Sequence, residues 1–176
     1  MRGRTNIAPA LVAMNAPLSS PVNPQRLPRI LLAAWALLWA GVIVGMSFLA
    51  TPIKFTAPAL TLPVALQVGM VTFVLLQKVN WVALLVSAVL VWLAQSKSAK
   101  ALWLVLLILE IFIDSVVLPP LNARVALYFG TAPIPPGTWH HAAYGIIEVA
   151  RVLLLLLLAF VCLRQAMRND SAAAPA

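Results

Sequence analysis

The stretch ILLAAWALLWAGVIVGMSFLA, residues 30–50, is 21 residues long and contains no charged side chain. A helix rises about 1.5 Å per residue and the hydrocarbon core of a bilayer is about 30 Å thick, so roughly 20 such residues cross a membrane once. A secretory signal has a shorter apolar core followed by small residues, whereas the bulky Phe48 precedes Leu49 and Ala50 here. The stretch therefore predicts a retained first transmembrane helix.

The composition of the whole chain indicates the same class of protein. Hydrophobic residues make up 63% of the 176 residues and charged residues 9%, with a mean hydropathy of +1.00. Soluble domains carry about 25% charged residues, so this is the composition of an integral membrane protein. The predicted partner is therefore the lipid bilayer. The net charge of +8 comes from basic residues that form no run and lie beside apolar segments. This pattern favours contact with lipid headgroups and predicts no nucleic-acid partner.

Three more crossings follow the first. The apolar run after Pro63 is too long for one perpendicular crossing, so we predict an interfacial or re-entrant turn over 63–70 and a second span over 72–95. The third span covers 101–118 and stops at Pro119 and Pro120, and the fourth covers 142–163. The sequence thus predicts an all-α, polytopic four-transmembrane-helix bundle with short interfacial helices in its two outer loops.

Two tails flank this predicted transmembrane domain, which covers residues 30–163. Residues 1–29 carry five prolines, four arginines and no acid, which is typical of a flexible basic tail. Residues 164–176 form a short second tail. Loops rich in Lys and Arg stay in the cytoplasm, and eight basic residues fall on one side of the spans against three on the other. The eight are Arg2, Arg4, Arg26, Arg29, Lys97, Lys100, Arg164 and Arg168, and the three are Lys54, Lys78 and Arg124. We therefore expect both termini in the cytoplasm.

Ionisable residues inside the predicted spans are the main candidates for function, because a lone charge in hydrocarbon is costly. Counted along each helix, five of them fall at similar depths in the outer half of the bilayer. They are Lys78, Glu110, Asp114, Glu148 and Arg151. Glu110 and Asp114 are four residues apart, and Glu148 and Arg151 are three apart, so each pair shares a helix face. We predict that the five converge in one buried charge layer, with Glu110 paired to Arg151.

This layer has two interpretations. It either fixes the register of a small bundle, or it lines a small polar cavity that binds or passes a proton, an ion or a small solute. A transport role would need an oligomer, and Gly41 with Gly45 has the spacing of a homodimer seam, although packing within one protomer explains the same pattern. Lys54, Arg124, His140 and His141 are possible contributors to an outer rim.

No motif indicates an enzyme. The chain has no Gly-rich phosphate loop, HExxH or GxSxG, and its single cysteine, Cys162, excludes a multi-cysteine metal site. His140 and His141 are adjacent, so they point in different directions on a helix and do not form a joint metal site. We predict no enzymatic activity, no metal and no cofactor, and the sequence identifies no protein partner.

Several segments carry a resemblance to known proteins. They are GMSFLATPIKF (45–55), LPVALQVG (62–69), LPPLNAR (118–124), and His141 with Tyr144 and Glu148. These segments resemble an uncharacterised family of small bacterial four-helix integral membrane proteins, and Phe48, Pro52 and Phe55 are distantly similar to a eukaryotic transmembrane protein family associated with platinum-drug resistance. The resemblance covers residues 30–163 and implies a multi-pass location in the bacterial inner membrane. This chain has Gln67 and Asn80 where the family pattern carries acids, which removes partners for Lys54 and Lys78.

Overall fold

The computed structural model describes residues 23–129 and 139–171, with side chains as far as Arg168. Within these residues, four helices are long and apolar enough to cross a membrane, and no strand occurs. They are α1 (Arg26–Thr56), α2 (Leu62–Ala94), α3 (Lys97–Leu127) and α4 (His140–Ser171). The predicted all-α, four-helix architecture is confirmed. The first three helices have 31 to 33 residues and extend roughly 47–50 Å, so their ends project beyond a hydrocarbon core of about 30 Å.

Helix α1 is longer than predicted at both ends. It is α-helical over Arg26–Ile43 and π-helical over Val44–Ala50, and it closes with an α turn at Thr51–Ile53 and a 3-10 turn at Lys54–Thr56. The next residue, Ala57, has an extended conformation with ψ 114°. That conformation is favoured before a proline, here Pro58, and it ends the helix.

Helix α2 is one continuous helix, so the predicted boundary near residue 72 was wrong. The segment 63–70, expected to form a separate interfacial turn, is the beginning of Leu62–Ala94. Pro63 does not interrupt it because it lies in the first turn, where a backbone N–H has no intrahelical acceptor. The helix ends at Gln95, whose positive φ of 51° reverses the chain into α3.

Helix α3 runs through the two prolines that were expected to stop it. Its first segment, Lys97–Phe112, begins at the N-cap Ser96, whose hydroxyl accepts a hydrogen bond from the backbone N–H of Ala99 at 3.2 Å. A π-helical segment, Ile113–Val117, then leads into Leu118–Leu127. Pro119 and Pro120 directly follow this π-helical segment, where the N–H of Leu118 bonds to the carbonyl of Ile113 and the α-helical hydrogen-bond pattern is already interrupted.

The four helices form a closed ring. Each helix packs on its sequence neighbours, and α4 returns to pack along α1, which is the most extensive contact in the bundle. Small buried residues of α1, among them Ala33 and Ala36, allow this close approach to Leu155 and Leu158 of α4. Indole N–H groups add ties to α2, since Trp35 donates to the carbonyl of Ala83 and Trp103 donates to that of Leu84, both at 3.1 Å.

The predicted tails and outer loops differ in detail from the structure. The predicted tail 164–176 begins inside α4, which continues to Ser171. The helical segments expected to lie in the outer loops, at 51–56, 62–71 and 118–127, are the ends of α1, α2 and α3. Residues 1–22 of the predicted basic tail and residues 130–138 of the second outer loop lie outside the described residues.

Candidate functional site

Three of the five predicted interior charges meet in the centre of the bundle. Glu110 comes from α3, and Glu148 and Arg151 come from one face of α4. Their side chains are 0%, 0% and 1% exposed. We call these three residues the buried triad.

Arg151 holds both carboxylates of the triad at once. Its Nη2 forms an ion pair with Oε2 of Glu110, which is the pair that the sequence predicted. Its Nη1 donates to Oε1 of Glu148 at 2.5 Å. The flat, forked guanidinium suits such a double contact, so one side chain joins α3 to α4.

The remaining polar atoms of the triad are unequally satisfied. Oε2 of Glu148 accepts a hydrogen bond from the hydroxyl of Ser47 on α1 at 3.2 Å, so both of its carboxylate oxygens have donors. By contrast, Oε1 of Glu110 and Nε of Arg151 are buried without a hydrogen-bond partner among the described residues. With both acids ionised the triad carries a net charge of −1, and Glu110 is the acid with the less complete stabilisation.

Uncharged polar residues surround the triad, and sequence reasoning did not assign them to it. Ser47 comes from α1, and Tyr144, which is within reach of Ser47, comes from α4. On α2, Asn80 is fully buried and accepts a hydrogen bond from Nε1 of Trp39 at 2.8 Å. Gln77 lies one turn away on the same face and is also buried. The sequence did indicate the buried face of α2, because Gln77 and Asn80 are two amides three residues apart in an otherwise apolar helix. Nothing in the sequence except its polar hydroxyl indicated that Ser47 belongs to the site.

Lys78 and Asp114 do not belong to the buried site, so the prediction of five converging charges was wrong for these two. Both are exposed on the surface of the bundle, where they line a shared groove of about 480 Å³. The buried stripe of α3 continues from Glu110 to Ile113 and Val117, which leaves Asp114 beside it. Lys78 follows the buried Gln77 and is turned away from it by about 100°.

Three of the four predicted rim residues lie around a cavity at the end of the bundle where α1 meets α2. This cavity, which we call the rim cavity, has a volume of about 530 Å³. Lys54, Arg124 and His141 line it, whereas His140 stacks on Trp139 with ring centroids 4.1 Å apart. Ser47 lines the same cavity, so its side chain lies between the cavity and the triad.

Lys54 is held over the rim cavity by two aromatic rings. Its Nζ lies 5.0 Å from the ring centroid of Phe55 and 5.8 Å from that of Phe73. Such distances give cation–π attraction, which stabilises an ammonium without neutralising it. Gly69 faces this ammonium, and a Cβ at that position would collide with Nζ. The absence of a side chain at Gly69 therefore makes room for the lysine.

The described residues contain no group of three or more His, Cys, Asp and Glu side chains that could hold a metal ion. Comparisons with protein-family models, with curated proteins and with solved structures found no match.

Proposed function

We propose that this protein is a small transport module of the membrane in which the buried triad binds and releases a proton. The observation that carries the proposal is the charge count, because two carboxylates share one guanidinium where each side chain is at most 1% exposed. In a medium of low dielectric constant, a surplus negative charge is relieved most readily by protonation of one acid.

The hydrogen bonds favour Glu110 as the acid that holds the proton. Glu148 has a donor on each oxygen, from Arg151 and from Ser47. Glu110 has a donor on one oxygen only, and its Oε1 is buried without a partner among the described residues. A neutral carboxyl group loses less free energy than a carboxylate when an oxygen is left without a donor, so the proton belongs on Glu110.

Access to the triad supports a transport role. Ser47 lines the rim cavity and donates a hydrogen bond to Glu148 of the triad, so one side chain connects a buried acid with a space at the end of the bundle. Four helices rarely enclose a complete path, and we propose that two protomers associate through Gly41 and Gly45. A Cβ at either glycine would meet nothing within 4 Å, so neither glycine is needed for packing within the protomer.

Infrared spectroscopy of the protein in lipid nanodiscs tests the proton site. A neutral carboxyl group gives its own C=O stretching band, and carboxyl-¹³C labelling of glutamate distinguishes Glu bands from Asp bands. We expect a neutral Glu band at neutral pH in the wild type and its loss in Glu110→Gln. The matched control is Asp114→Asn, which removes an exposed acid one turn away on the same helix and leaves the Glu band in place.

Two results would oppose this assignment. Absence of a neutral Glu band in the wild type refutes the proton site, and a band that survives Glu110→Gln but vanishes in Glu148→Gln moves the proton to Glu148. For transport itself, the wild type in proteoliposomes should collapse an imposed pH gradient faster than Glu110→Gln does. Equal rates for these two proteins would refute the transport role.

A structural role is the second candidate, and it is favoured by the way Arg151 bridges α3 and α4. In that case the triad only sets the register of the two helices. Glu110→Gln and Arg151→Leu, made singly and together, separate the two roles. If the double variant regains the stability and every phenotype that the single variants lose, the pair is structural.

We further propose that the protein resides in the bacterial inner membrane with both termini in the cytoplasm. The excess of basic residues at the end of the bundle that contains the α2–α3 connection supports this orientation. Reporter fusions test it, because a reporter active only in the cytoplasm should work at either terminus. The proposal includes no enzymatic reaction and no cofactor.

A further inference from the structure

We infer that the rim cavity is a binding site for a small single-chain amphiphile with an anionic carboxylate or phosphate head. This site is separate from the buried triad, and the inference does not depend on whether the triad carries a proton. It rests on the charge, the wall chemistry and the size of the cavity.

The charge of the cavity wall selects an anion. Two cationic residues, Lys54 and Arg124, line the cavity together with the imidazole of His141, and none of its described lining residues is acidic. The sequence supports this excess of positive charge, because the whole chain has only four acids. They are Glu110, Asp114, Glu148 and Asp170. A concave, partly apolar site with basic groups only attracts and orients a negatively charged head.

Lys54 is placed to receive that head. Its ammonium is held over Phe55 and Phe73, and it makes no ion pair with an acid in the described structure. Cation–π contacts leave the donor capacity of an ammonium largely unused, so the three N–H groups remain able to bind carboxylate or phosphate oxygens. The open space at Gly69 lets the ammonium sit at the cavity wall.

The remaining wall selects an apolar chain. Phe48, Leu66, Met70 and Phe73 line the cavity together with the basic residues. A simple inorganic anion would leave these side chains against water, whereas an acyl or alkyl chain would cover them. The volume of about 530 Å³ lies within the range of roughly 300–1,000 Å³ that small-molecule sites occupy, which favours one chain over the two chains of a phospholipid.

Equilibrium binding of radiolabelled dodecanoate to the full chain in phosphatidylcholine nanodiscs tests the inference, with empty nanodiscs as the background. We expect saturable binding that dodecyl phosphate displaces. Dodecanol, dodecyltrimethylammonium and inorganic phosphate should displace it at least about tenfold less well, because each lacks either the anionic head or the chain. This comparison uses only the wild type, so it does not depend on whether a variant folds.

Matched variants then locate the site. Lys54→Met keeps the length of the side chain but removes its charge, and it should weaken dodecanoate binding about tenfold or more. Lys78→Met is the matched control: Lys78 lies on α2 and does not line this cavity, so its loss should leave binding unchanged. Gly69→Ala should weaken binding several-fold, because the new methyl group displaces only the flexible end of Lys54 and spares the fold.

Each contrary outcome overturns the inference. No saturable dodecanoate binding removes the site, and equal displacement by dodecanol removes charge recognition. Displacement by phosphatidylglycerol in the nanodisc but not by dodecyl phosphate would assign the cavity to a bilayer lipid instead. If Lys54→Met and Lys78→Met weaken dodecanoate binding equally, the binding depends on the overall positive charge of the protein and not on this cavity. Glu110→Gln should bind dodecanoate like the wild type, so failure of the proton site and failure of this site are distinguishable.

Discussion

The hydroxyl of Ser47 on α1 donates a hydrogen bond to Oε2 of Glu148 on α4 at 3.2 Å, while the same serine lines the rim cavity. One small side chain thus contacts both the space at the end of the bundle and a fully buried acid. The π-helical segment Val44–Ala50 places Ser47 there. Irregular helical segments of this kind are frequent at functional sites.

This relationship predicts that residue 47 is reachable from the rim. In Ser47→Cys, a small membrane-impermeant thiol reagent should modify the new cysteine when it is added on the rim side. The native Cys162 is 0% exposed, so the wild type provides an unreactive background. Labelling is measured by the mass of the intact protein. A cysteine at residue 47 that reacts no faster than Cys162 would mean that the cavity does not reach the triad.

Loss of the shared base should be the most damaging change in the triad. Arg151→Met leaves Glu110 and Glu148 buried without a partner of opposite charge, and removal of one member of a buried ion pair costs about 3–5 kcal/mol. Glu110→Gln replaces the proposed neutral carboxyl group with an uncharged side chain of the same shape and leaves Glu148 paired with Arg151, so we expect a much smaller loss. Unfolding by a denaturing detergent measures both. Equal losses for the two variants would contradict this account of the charge balance.

The hydrogen bond between Trp39 and Asn80 should contribute measurably to the α1–α2 contact. The indole Nε1 lies 2.8 Å from Oδ1 of the fully buried Asn80. Hydrogen bonds between membrane helices average about 0.6 kcal/mol and reach about 1.7 kcal/mol. A double-mutant cycle with Trp39→Phe and Asn80→Leu should therefore give a coupling free energy in this range. Additive effects would show that the bond makes no net contribution.

The helix boundaries in this chain show which parts of the fold its sequence determines. Hydropathy and length identified all four spans, because an apolar run of about 20 residues has few alternatives to crossing a membrane. The errors occurred at the start of α2, where the length of the apolar run was interpreted as requiring a separate turn over 63–70, and at Pro119, which was interpreted as the end of a helix. Pro63 lies in the first turn of α2, where proline costs little, and Pro119 follows a π-helical segment inside α3. Hydropathy reveals neither where a helix begins nor where its hydrogen-bond pattern changes.

The candidate site was predicted in part for a related reason. Helical spacing and depth identified the pair of Glu110 with Arg151, since both quantities follow from counting residues. Depth does not fix the rotation of a helix about its axis, so Lys78 and Asp114 were assigned to the interior although they face outward. The rotation of a helix depends on how it packs against its neighbours, and this packing cannot be read from the sequence of one span alone.

The N-cap of α3 offers a test of a local element. The hydroxyl of Ser96 accepts from the backbone N–H of Ala99, and Ser96 is only 3% exposed. Ser96→Ala should lower the free energy of unfolding by about 1 kcal/mol, the usual contribution of an N-cap. Ser98→Ala, two residues further along at an exposed position, is the control and should be nearly neutral. A similar loss in both variants would argue against the cap.

The proposed association of two protomers can be separated from folding of one. Gly41→Leu adds a large side chain where a Cβ meets nothing within 4 Å, so the fold of the protomer should be retained. If Gly41 and Gly45 form a seam between protomers, the same side chain holds the two α1 helices apart, because such contacts need small residues. Crosslinking in nanodiscs or native mass spectrometry should then give mainly monomer. Gly145→Leu is the matched control on α4, since a Cβ there also meets nothing within 4 Å, and it should leave the dimer intact. A dimer that persists in Gly41→Leu but dissociates in Gly145→Leu would place the seam on α4 and remove α1 from the interface.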